Sequence, residues 1–346
     1  METLMEINQS SEAGLTADEA EQYDRQIRLW GLDAQKRLRS STVLVVGLRG
    51  LGSEVVKNIV LAGVHAITIL DHTPLSKDDF AERFLIRQDG ENRALQAVAQ
   101  LQMLNPNVLI SADSERVEDK GEEFFTGFDV VCVTSCTTQS MVRIDEICRK
   151  NNIKFFCGDV WGYYGYCFTD LSSHDYTMEV VKDKMEDCIE VEAARSKRKS
   201  SNTEREMVTI KKCQLFCSLR DSLAVNWSNK PPRYFKRTPP TFFIIQTLQA
   251  FKDEYHRDPS CPSDSELLLS LREQVALKYG ISKDLFEESF VRHCNSELSP
   301  VCAIVGGVLG QEIIKAISAK DIPYNNWFLY NGVNSTGIVE TIQPST

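Results

Sequence analysis

The stretch Val43–Gly52, with the sequence VLVVGLRGLG, constrains the fold more than any other part of the chain. It opens with a continuous apolar run, the pattern of a strand that is covered on both faces of a sheet. Glycines follow at Gly47, Gly50 and Gly52, and apolar residues then return at helical spacing. A strand that passes through a glycine turn into a helix is typical of a phosphate-binding turn. The second glycine of such a turn normally lets the backbone approach a pyrophosphate, and Arg49 stands at that position here.

Strands alternate with helices through the first half of the chain. The predicted strands are TVLVVG, AITILD, VLISAD, FDVVCVTS and IKFFCGDVWG, and YYGYCFTDL continues in extended form. Apolar residues at helical spacing separate them, as in NRALQAVAQLQML, which ends before Asn105-Pro106. This alternation predicts an α/β chain with a Rossmann-like, doubly wound and mostly parallel sheet.

A helix is predicted upstream, over the segment TADEAEQYDRQIRLWG that ends at Gly31. It begins with a capping box formed by Thr16 and Glu19. Its apolar side chains recur at positions i, i+4 and i+7 and predict a buried stripe of Tyr23, Ile27 and Trp30. Arg25 and Arg28 lie on a different face, where they can point at solvent or at another molecule.

The composition changes after residue 171. Residues 172–206 are charged, carry few large apolar side chains and predict a mobile insertion. They include the basic run Lys197–Lys199, which is typical either of a nuclear-import signal or of a solvated loop. Further on, VTIKKCQLF predicts a strand, and the final segments NNWFLYNG and TGIVE predict a hairpin. Helices are predicted in PPTFFIIQTLQAF, DSELLLSLREQVALKYG, KDLFEESFVRHC and PVCAIVGGVLGQEIIKAIS.

Charge and cysteine usage argue against several classes of function. The net charge of −10 disfavours binding to nucleic acid and to a membrane surface. No signal peptide and no apolar run of membrane-spanning length are evident. The 11 cysteines without a secretory signal indicate a reducing compartment, and the lack of a C-x-x-C pair argues against a zinc site. None of the 5 histidines stands in a catalytic string, so an oxidoreductase is not expected.

Two interpretations of the glycine turn remain open. The backbone N–H groups of such a turn and the dipole of the following helix point at a phosphate. Asp71, at the end of the second strand, is placed where a carboxylate binds ribose hydroxyls. Alternatively, the glycines only allow the helix to pack tightly on the sheet, and Arg49 at the close-approach position favours this second interpretation.

Five segments of the chain carry a family resemblance. They are YDRQIRLWG, VVGLRGLG, ILDH, FLIR followed by NRA, and PVCAIVGGVLGQEIIKAIS. Together they resemble the adenylation domain of ubiquitin-like-protein activating enzymes, and the resemblance covers nearly the whole chain outside 172–206. Within that family, the chain's length and its closing NNWFLYNG…GIVE element resemble the small, non-catalytic subunits of SUMO-activating heterodimers.

The resemblance implies partners, cofactors and a division of the chain. A catalytic partner subunit would hold ATP and Mg²⁺, and this chain would bind neither. SUMO and a conjugating enzyme would be met through the complex, in the nucleus and the cytoplasm. The implied divisions are a flexible N-terminus (1–15), a Rossmann-like pseudo-adenylation domain (16–171), the charged insertion (172–206), a mostly helical remnant of the catalytic-cysteine region (207–297) and a return to the adenylation domain (298–346).

The residues of the family's adenylation site are largely replaced in this chain. That site carries a G-x-G-G-x-G turn, a ribose-binding Asp, an Asn and Arg pair, a Lys, and an Asp that organises magnesium; Asp71 is kept. The replaced positions are Arg49 in the glycine turn, Ala81 and Glu82 for the Asn and Arg, Arg93 for the Lys and Cys136 for the second Asp. A neutral thiol is a poor ligand for a hard cation. We therefore expect no metal ligands and a vestigial nucleotide site of Gly47, Gly50, Gly52, Asp71 and Arg93.

Arg25 is the one catalytic residue that the resemblance implies. In the family, the Arg of the Y-x-R-Q motif reaches the ATP phosphates that the other subunit holds. An Arg supplied in trans stabilises the charge on a transferring phosphate, whereas helix geometry alone predicts a surface Arg in an ordinary ion pair. The thiols of Cys188 and Cys261 have acidic neighbours and lie outside the family's cysteine-threonine motif, so neither is expected to form a thioester.

Three hypotheses follow from these observations. In the first, the chain is the non-catalytic subunit of a heterodimeric SUMO-activating enzyme. It is then required for adenylation of the SUMO C-terminus and for transfer to a thioester on the partner, and it supplies Arg25. In the second, it is a self-sufficient homodimeric adenylyltransferase. In the third, it is a scaffold without a catalytic contribution, and the choice of SUMO as the modifier follows from the resemblance alone.

Overall fold

The computed structural model describes residues 15–75, 85, 91–183, 205–228 and 240–344. Its strands are β1 (Thr42–Val46), β2 (Ala66–Leu70), β3 (Leu109–Asp113), β4 (Val130–Thr134), β5 (Lys154–Trp161), β6 (Tyr164–Asp170), β7 (Ser173–Asp183), β8 (Arg205–Leu215), β9 (Trp327–Asn331) and β10 (Thr336–Glu340). Its α-helices are α1 (Ala17–Gln22), α2 (Asp24–Trp30), α3 (Leu32–Arg39), α4 (Gly50–Ala62), α5 (Arg93–Leu104), α6 (Glu122–Phe125), α7 (Thr138–Lys150), α8 (Leu219–Leu223), α9 (Thr241–Tyr255), α10 (Ser265–Tyr279) and α11 (Ser299–Ser318). Short 3₁₀ helices cover Val117–Asp119, Lys283–Leu285 and Glu288–Arg292.

The main sheet has eight strands in the order β10-β9-β6-β5-β4-β1-β2-β3. The strands from β5 to β3 pair in parallel, whereas β6, β9 and β10 join antiparallel. The predicted Rossmann-like, doubly wound and mostly parallel sheet is therefore confirmed. After β3 the chain returns to the other side of β1 as β4, so the strand order reverses beside β1. Sheets of this kind bind ligands at the carboxyl ends of the strands near that reversal.

One face of the sheet is covered by α4, α5 and α11. Apolar side chains of these helices share one core with β1 and β2. The helices α4 and α11 pack closely because α11 carries glycines. A Cβ added at Gly306 would lie 2.6 Å from the Cβ of Glu54, and one added at Gly310 would lie 3.0 Å from the Cβ of Asn58. These glycines therefore allow the two helices to approach closely.

Helix α11 has the length and composition of a membrane-spanning helix, the one such helix in the described part of the chain. This corrects the expectation that no apolar run reaches that length. Its burial nevertheless makes it a core helix of this fold, because 67% of its most apolar window lies inside the structure.

The opposite face of the sheet is covered by α7, α9 and α10. Buried aromatic rings pack together there, and they are Trp227, Phe242, Phe243, Tyr279 and Trp327. Helices from the second half of the chain thus pack on the sheet that the first half mainly forms. The C-terminal end of α9 lies at the carboxyl ends of the parallel strands.

The predicted N-terminal helix is divided at Tyr23 into α1 and α2, so its prediction as one helix is wrong. The capping box at its start is present. The Tyr23 side chain is buried, and its hydroxyl accepts a hydrogen bond from the Asn105 amide at 2.9 Å. The α-helical pattern is interrupted at the residue whose side chain enters the core. Ile27 and Trp30, the other members of the predicted stripe, are only half-buried.

Two predictions for the second half of the chain need correction. Residues 173–183 form β7, which pairs with β8 in an antiparallel ribbon, although the segment was predicted as insertion. The segment KDLFEESFVRHC forms two 3₁₀ helices instead of an α-helix. The reason is the buried guanidinium of Arg272, which donates to the carbonyls of Lys283 at 2.6 Å and Phe286 at 2.7 Å. Those carbonyls would otherwise accept the bonds of a continuous helix. The other predicted strands, the remaining predicted helices and the closing hairpin are confirmed.

A buried carboxyl pair connects α7 with the end of β6. Asp145 of α7 is fully buried, and one of its oxygens accepts the N–H of Leu219 at 2.8 Å. The neighbouring Asp170 binds the guanidinium of Arg149 at 2.6 and 2.7 Å. Burial, and after it the charge of Asp170, raise the pKa of Asp145 above its ordinary value. The fold therefore favours the neutral form of Asp145.

We expect the contribution of Asp145 to stability to fall as the pH rises towards its folded-state pKa of about 8. A pKa that is raised in the folded state contributes stability that is complete below the unfolded-state pKa and is lost as the pH rises through the folded-state pKa. Asp145→Asn keeps an acceptor for the Leu219 N–H and removes the titration. Its unfolding free energy should therefore change less between about pH 6 and about pH 9, by on the order of 2 kcal/mol. Thermal unfolding followed by circular dichroism measures the pH dependence of stability, and the exposed Asp119→Asn is the control. Equal pH profiles for the unmodified chain, Asp145→Asn and Asp119→Asn would contradict the role given to Asp145.

Candidate nucleotide half-site

A cavity of about 450 Å³ lies at the carboxyl ends of β1, β2 and β4. It is next to the reversal in strand order, where doubly wound sheets hold ligands. Its wall contains five residues that the sequence analysis singled out, namely Gly47, Arg49, Asp71, Arg93 and Cys136. The fold thus gathers most of the predicted nucleotide-site residues in one place. Lys252 and Asp258, which the sequence analysis missed, complete the wall from the end of α9.

Two glycines of the turn are required by packing. Gly47 has a positive φ of 84°, and a Cβ there would lie 2.5 Å from the carbonyl oxygen of Thr134. A Cβ at Gly52 would lie 2.0 Å from the carbonyl oxygen of Gly47. No other residue fits these positions without moving the backbone. The interpretation of the glycines as packing residues therefore accounts for Gly47 and Gly52 without a ligand.

The N-terminus of α4 carries a carboxylate of the same chain. The N–H of Gly50 donates to one oxygen of Glu297 at 2.8 Å, and the N–H of Leu51 donates to the other at 3.3 Å. First-turn N–H groups and the helix dipole favour an anion at this place. A phosphate and the Glu297 carboxylate cannot both accept these two hydrogen bonds. The residues present therefore do not fit a nucleotide phosphate at α4.

Arg49 is held by two carboxylates next to that helix end. Its guanidinium forms an ion pair with Asp258, and its Nε lies 3.6 Å from an oxygen of Glu297. Burial alone would lower the pKa of Arg49, but Glu297 and Asp258 raise it well above its ordinary value. Arg49 is therefore permanently charged between these two carboxylates. Its position in the turn brings it into contact with Glu297.

Lys252 extends the network beneath Arg49. Its ammonium lies 2.5 Å from Asp159 and 3.0 Å from Asp258, and all three side chains are mostly buried. Burial alone would raise the pKa of Asp258, but Lys252 and Arg49 together lower it well below its ordinary value. Each buried charge in the network thus has an opposite charge within contact distance, which is what makes buried ions tolerable.

Asp71 and Arg93 are occupied by contacts within the chain. One Asp71 oxygen accepts the N–H of Leu48 at 2.7 Å, and the other accepts the N–H of Thr73 at 2.8 Å. The guanidinium of buried Arg93 donates to the Thr73 hydroxyl at 3.1 Å. The two residues therefore fix the turn after β2 to the cavity wall.

Cys136 remains a neutral thiol in the cavity wall. Burial, reinforced by the charge of Glu118, raises its pKa to about 12.

Within the described residues no group of three or more His, Cys, Asp and Glu side chains is placed to hold a metal ion. Ala81 and Glu82, which the sequence analysis assigned to this site, and Cys188 lie outside the described residues.

Arg25 lies in the first turn of α2 and is exposed. Among the residues that the structure describes it forms no hydrogen bond and no ion pair, whereas Arg28 on the same helix binds Asp24 at 3.0 Å. The ion pair that helix geometry alone predicted for Arg25 is therefore not present among the described residues, and Arg28 forms one instead. Arg25 does not contribute to the cavity wall of its own chain.

An exposed apolar surface adjoins Arg25. It consists of Leu29, one helical turn after Arg25, and of Leu32 and Leu61, with exposed fractions of 71%, 45% and 44%. Gln26 joins α2 to the end of α4 by donating to the carbonyl of Leu61 at 3.1 Å. Exposed apolar side chains grouped around an unpaired cation are characteristic of an interface with another protein.

The chain belongs to the ThiF family, whose sequence model matches residues 23–346. It is similar to SUMO-activating enzyme subunit 1 of Xenopus tropicalis, with 48% identity over 96% of this chain and 99% of the relative. The subunit of the same name from Homo sapiens is 48% identical over 96% of this chain and 97% of its own length. The one from Danio rerio is 46% identical over 94% and 95%. The resemblance drawn from the sequence motifs is confirmed at the level of the family and of the small subunit.

We expect removal of the Glu297 carboxylate to destabilise the fold. In Glu297→Ala the first N–H groups of α4 and the Arg49 guanidinium both lose an acceptor, which should cost about 1–3 kcal/mol of unfolding free energy. Urea unfolding measures the difference. The control is Glu287→Ala, a change at an exposed glutamate bonded only to Ser289 in its own turn. Equal unfolding free energies for the two variants would contradict the role given to Glu297.

Proposed function

We propose that this chain is the non-catalytic subunit of a heterodimeric SUMO-activating enzyme. The observation that carries the proposal is the Glu297 carboxylate at the N-terminus of α4, the position that a nucleotide phosphate would need. A chain whose own phosphate position is filled depends on a partner for ATP and Mg²⁺. The relatives named SUMO-activating enzyme subunit 1, which align over nearly the full chain, support the choice of the complex.

Arg25 completes the partner's ATP site in trans under this proposal. Its guanidinium has no partner within the described part of the chain, and exposed leucines adjoin it. Docking through those leucines would bring the guanidinium to the partner subunit. Arg binds phosphate oxygens with two parallel N–H bonds and stabilises the charge that develops on them. The chain thus supplies one catalytic group and holds no nucleotide itself.

The complex would act in three chemical steps. The SUMO C-terminal carboxylate attacks the α-phosphate of ATP in the partner's site and forms an adenylate. A cysteine of the partner then takes the SUMO acyl group as a thioester, which is delivered to a conjugating enzyme. In this chain the half-buried Cys136 thiol has a pKa raised to about 12 and stays neutral, so it is unsuited to thioester formation. We propose action in the nucleus and the cytoplasm; the basic run Lys197–Lys199 lies outside the described residues.

We expect Arg25→Ala to slow adenylation in the assembled heterodimer. The loss of a cation at the phosphates should lower the rate of ATP–pyrophosphate exchange at least about tenfold. Arg28→Ala is the matched control, because Arg28 lies on the same helix but is engaged by Asp24. Size-exclusion chromatography should show an intact heterodimer for both variants. An unchanged exchange rate in Arg25→Ala would favour the scaffold hypothesis.

The purified single chain should not catalyse ATP–pyrophosphate exchange. Adding the catalytic partner should restore exchange, and it should do so with SUMO and not with ubiquitin. The single chain should be inactive because the phosphate position at α4 is filled, which leaves no site for ATP. Robust exchange by the chain alone would instead support a self-sufficient homodimeric adenylyltransferase.

A further inference from the structure

Two cysteines from separate loops meet next to the charged network. The Sγ atom of Cys261, in the loop after α9, lies 4.0 Å from the Sγ atom of Cys294, in the segment before α11. The two residues are 33 positions apart in sequence. The two sulfur atoms need to approach by about 2 Å to reach the distance of a disulfide bond.

Hydrogen bonds hold the two cysteine-bearing segments together. The N–H of Cys261 donates to the side-chain oxygen of Asn295 at 2.7 Å, and the Asn295 amide donates back to the carbonyl of Cys261 at 3.1 Å. The second segment is also tied to the sheet, since the N–H of Tyr163 donates to the carbonyl of His293 at 2.8 Å. The approach of the two sulfur atoms is therefore fixed by the backbone on both sides.

The two thiols differ in access to solvent. Cys261 is half-buried, whereas Cys294 is fully buried. Burial raises the pKa of the Cys294 thiol, so that it stays protonated. An exposed cysteine that reacts first and a neighbouring cysteine that resolves the product are the components of a reversible redox site.

We propose that Cys261 and Cys294 form a reversible disulfide when a peroxide oxidises the protein. The Cys261 thiolate attacks one peroxide oxygen, the O–O bond breaks, and the departing oxygen leaves as water after taking up a proton. The sulfur of Cys294 then attacks the sulfenic sulfur of Cys261, the S–O bond breaks, and a second water carries away the thiol proton. Two thiols thereby lose two electrons and two protons, and hydrogen peroxide is reduced to two waters.

The disulfide joins the two segments that hold Arg49. Asp258 lies three residues before Cys261, and Glu297 lies three residues after Cys294. Both carboxylates bind Arg49, and Glu297 also binds the N-terminus of α4. Oxidation therefore adds a covalent link between the two segments that hold the filled phosphate position, and reduction removes that link. Transient disulfides of this kind occur in reducing compartments as redox-sensing sites.

Peptide mapping of the full chain tests the pairing. The reduced protein is treated with hydrogen peroxide, its remaining thiols are blocked with iodoacetamide, and a digest is analysed without reductant. We expect a peptide that links Cys261 to Cys294 and that disappears after dithiothreitol. The exposed Cys213→Ser serves as control and should keep the link. A Cys261 oxidised to sulfinic acid without the link, or linked to another cysteine, would overturn the proposal.

Single variants test the order of the two steps. In Cys294→Ser the sulfenic acid on Cys261 cannot be resolved and should accumulate, so that dimedone labels Cys261. In Cys261→Ser, Cys294 should remain unlabelled because it is buried. Cys294→Ala replaces the serine variant if the buried hydroxyl prevents folding. Labelling of Cys294 in the absence of Cys261 would refute the assigned order.

Thermal unfolding tests the structural consequence. A link that closes a loop of this length should raise the Tm of the oxidised protein by about 5 °C, and dithiothreitol should reverse the rise. Cys213→Ser should show the same shift, and Cys261→Ser should show none. An oxidised protein with an unchanged or lower Tm would contradict the covalent fixing of the two segments.

Discussion

The carboxylate of Glu297 at the N-terminus of α4 is the contact on which the site depends. The first N–H groups of a helix have no intrahelical acceptor, and the helix dipole favours negative charge beside them. In this chain the anion is part of the protein itself. The anion explains why an arginine stands at position 49, where a nucleotide-binding turn has glycine. Arg49 is well placed to pair with Glu297 and Asp258. Arg49 stands where a nucleotide turn approaches a pyrophosphate, and here it stabilises the carboxylate at the helix end.

The charged network joins segments that are distant in sequence. Arg49 follows β1, Asp159 lies in β5, Lys252 and Asp258 come from α9 and the loop after it, and Glu297 precedes α11. Buried charges are tolerated only when each has a well-placed partner. Displacement of any one segment would leave a buried ion uncompensated, so the network fixes the second half of the chain onto the strand ends. The network thus joins distant parts of the chain at this edge of the sheet.

The sequence predicted those features that depend on local pattern. Continuous apolar runs identified β1 to β5, and parallel topology then placed Gly47, Asp71 and Cys136 at one edge of the sheet. It could not predict Glu297, because a single glutamate carries no signal of a contact with a backbone N–H 247 residues away. Asp258 is likewise 209 residues from Arg49. The helix expected after residue 282 does not form because buried Arg272, 11 residues before Lys283, takes the carbonyls of Lys283 and Phe286.

The filled site and the unpaired Arg25 have complementary consequences for a dimer. The first gives the N-terminus of α4 an acceptor from within the chain, and one helix end cannot hold a second anion in the same place. The second leaves a cation available for a phosphate elsewhere, because no described group of the chain neutralises it. Either feature alone would fit several kinds of protein. Together they meet the requirements of the proposed role, in which Arg25 acts outside its own fold on a phosphate held by another subunit.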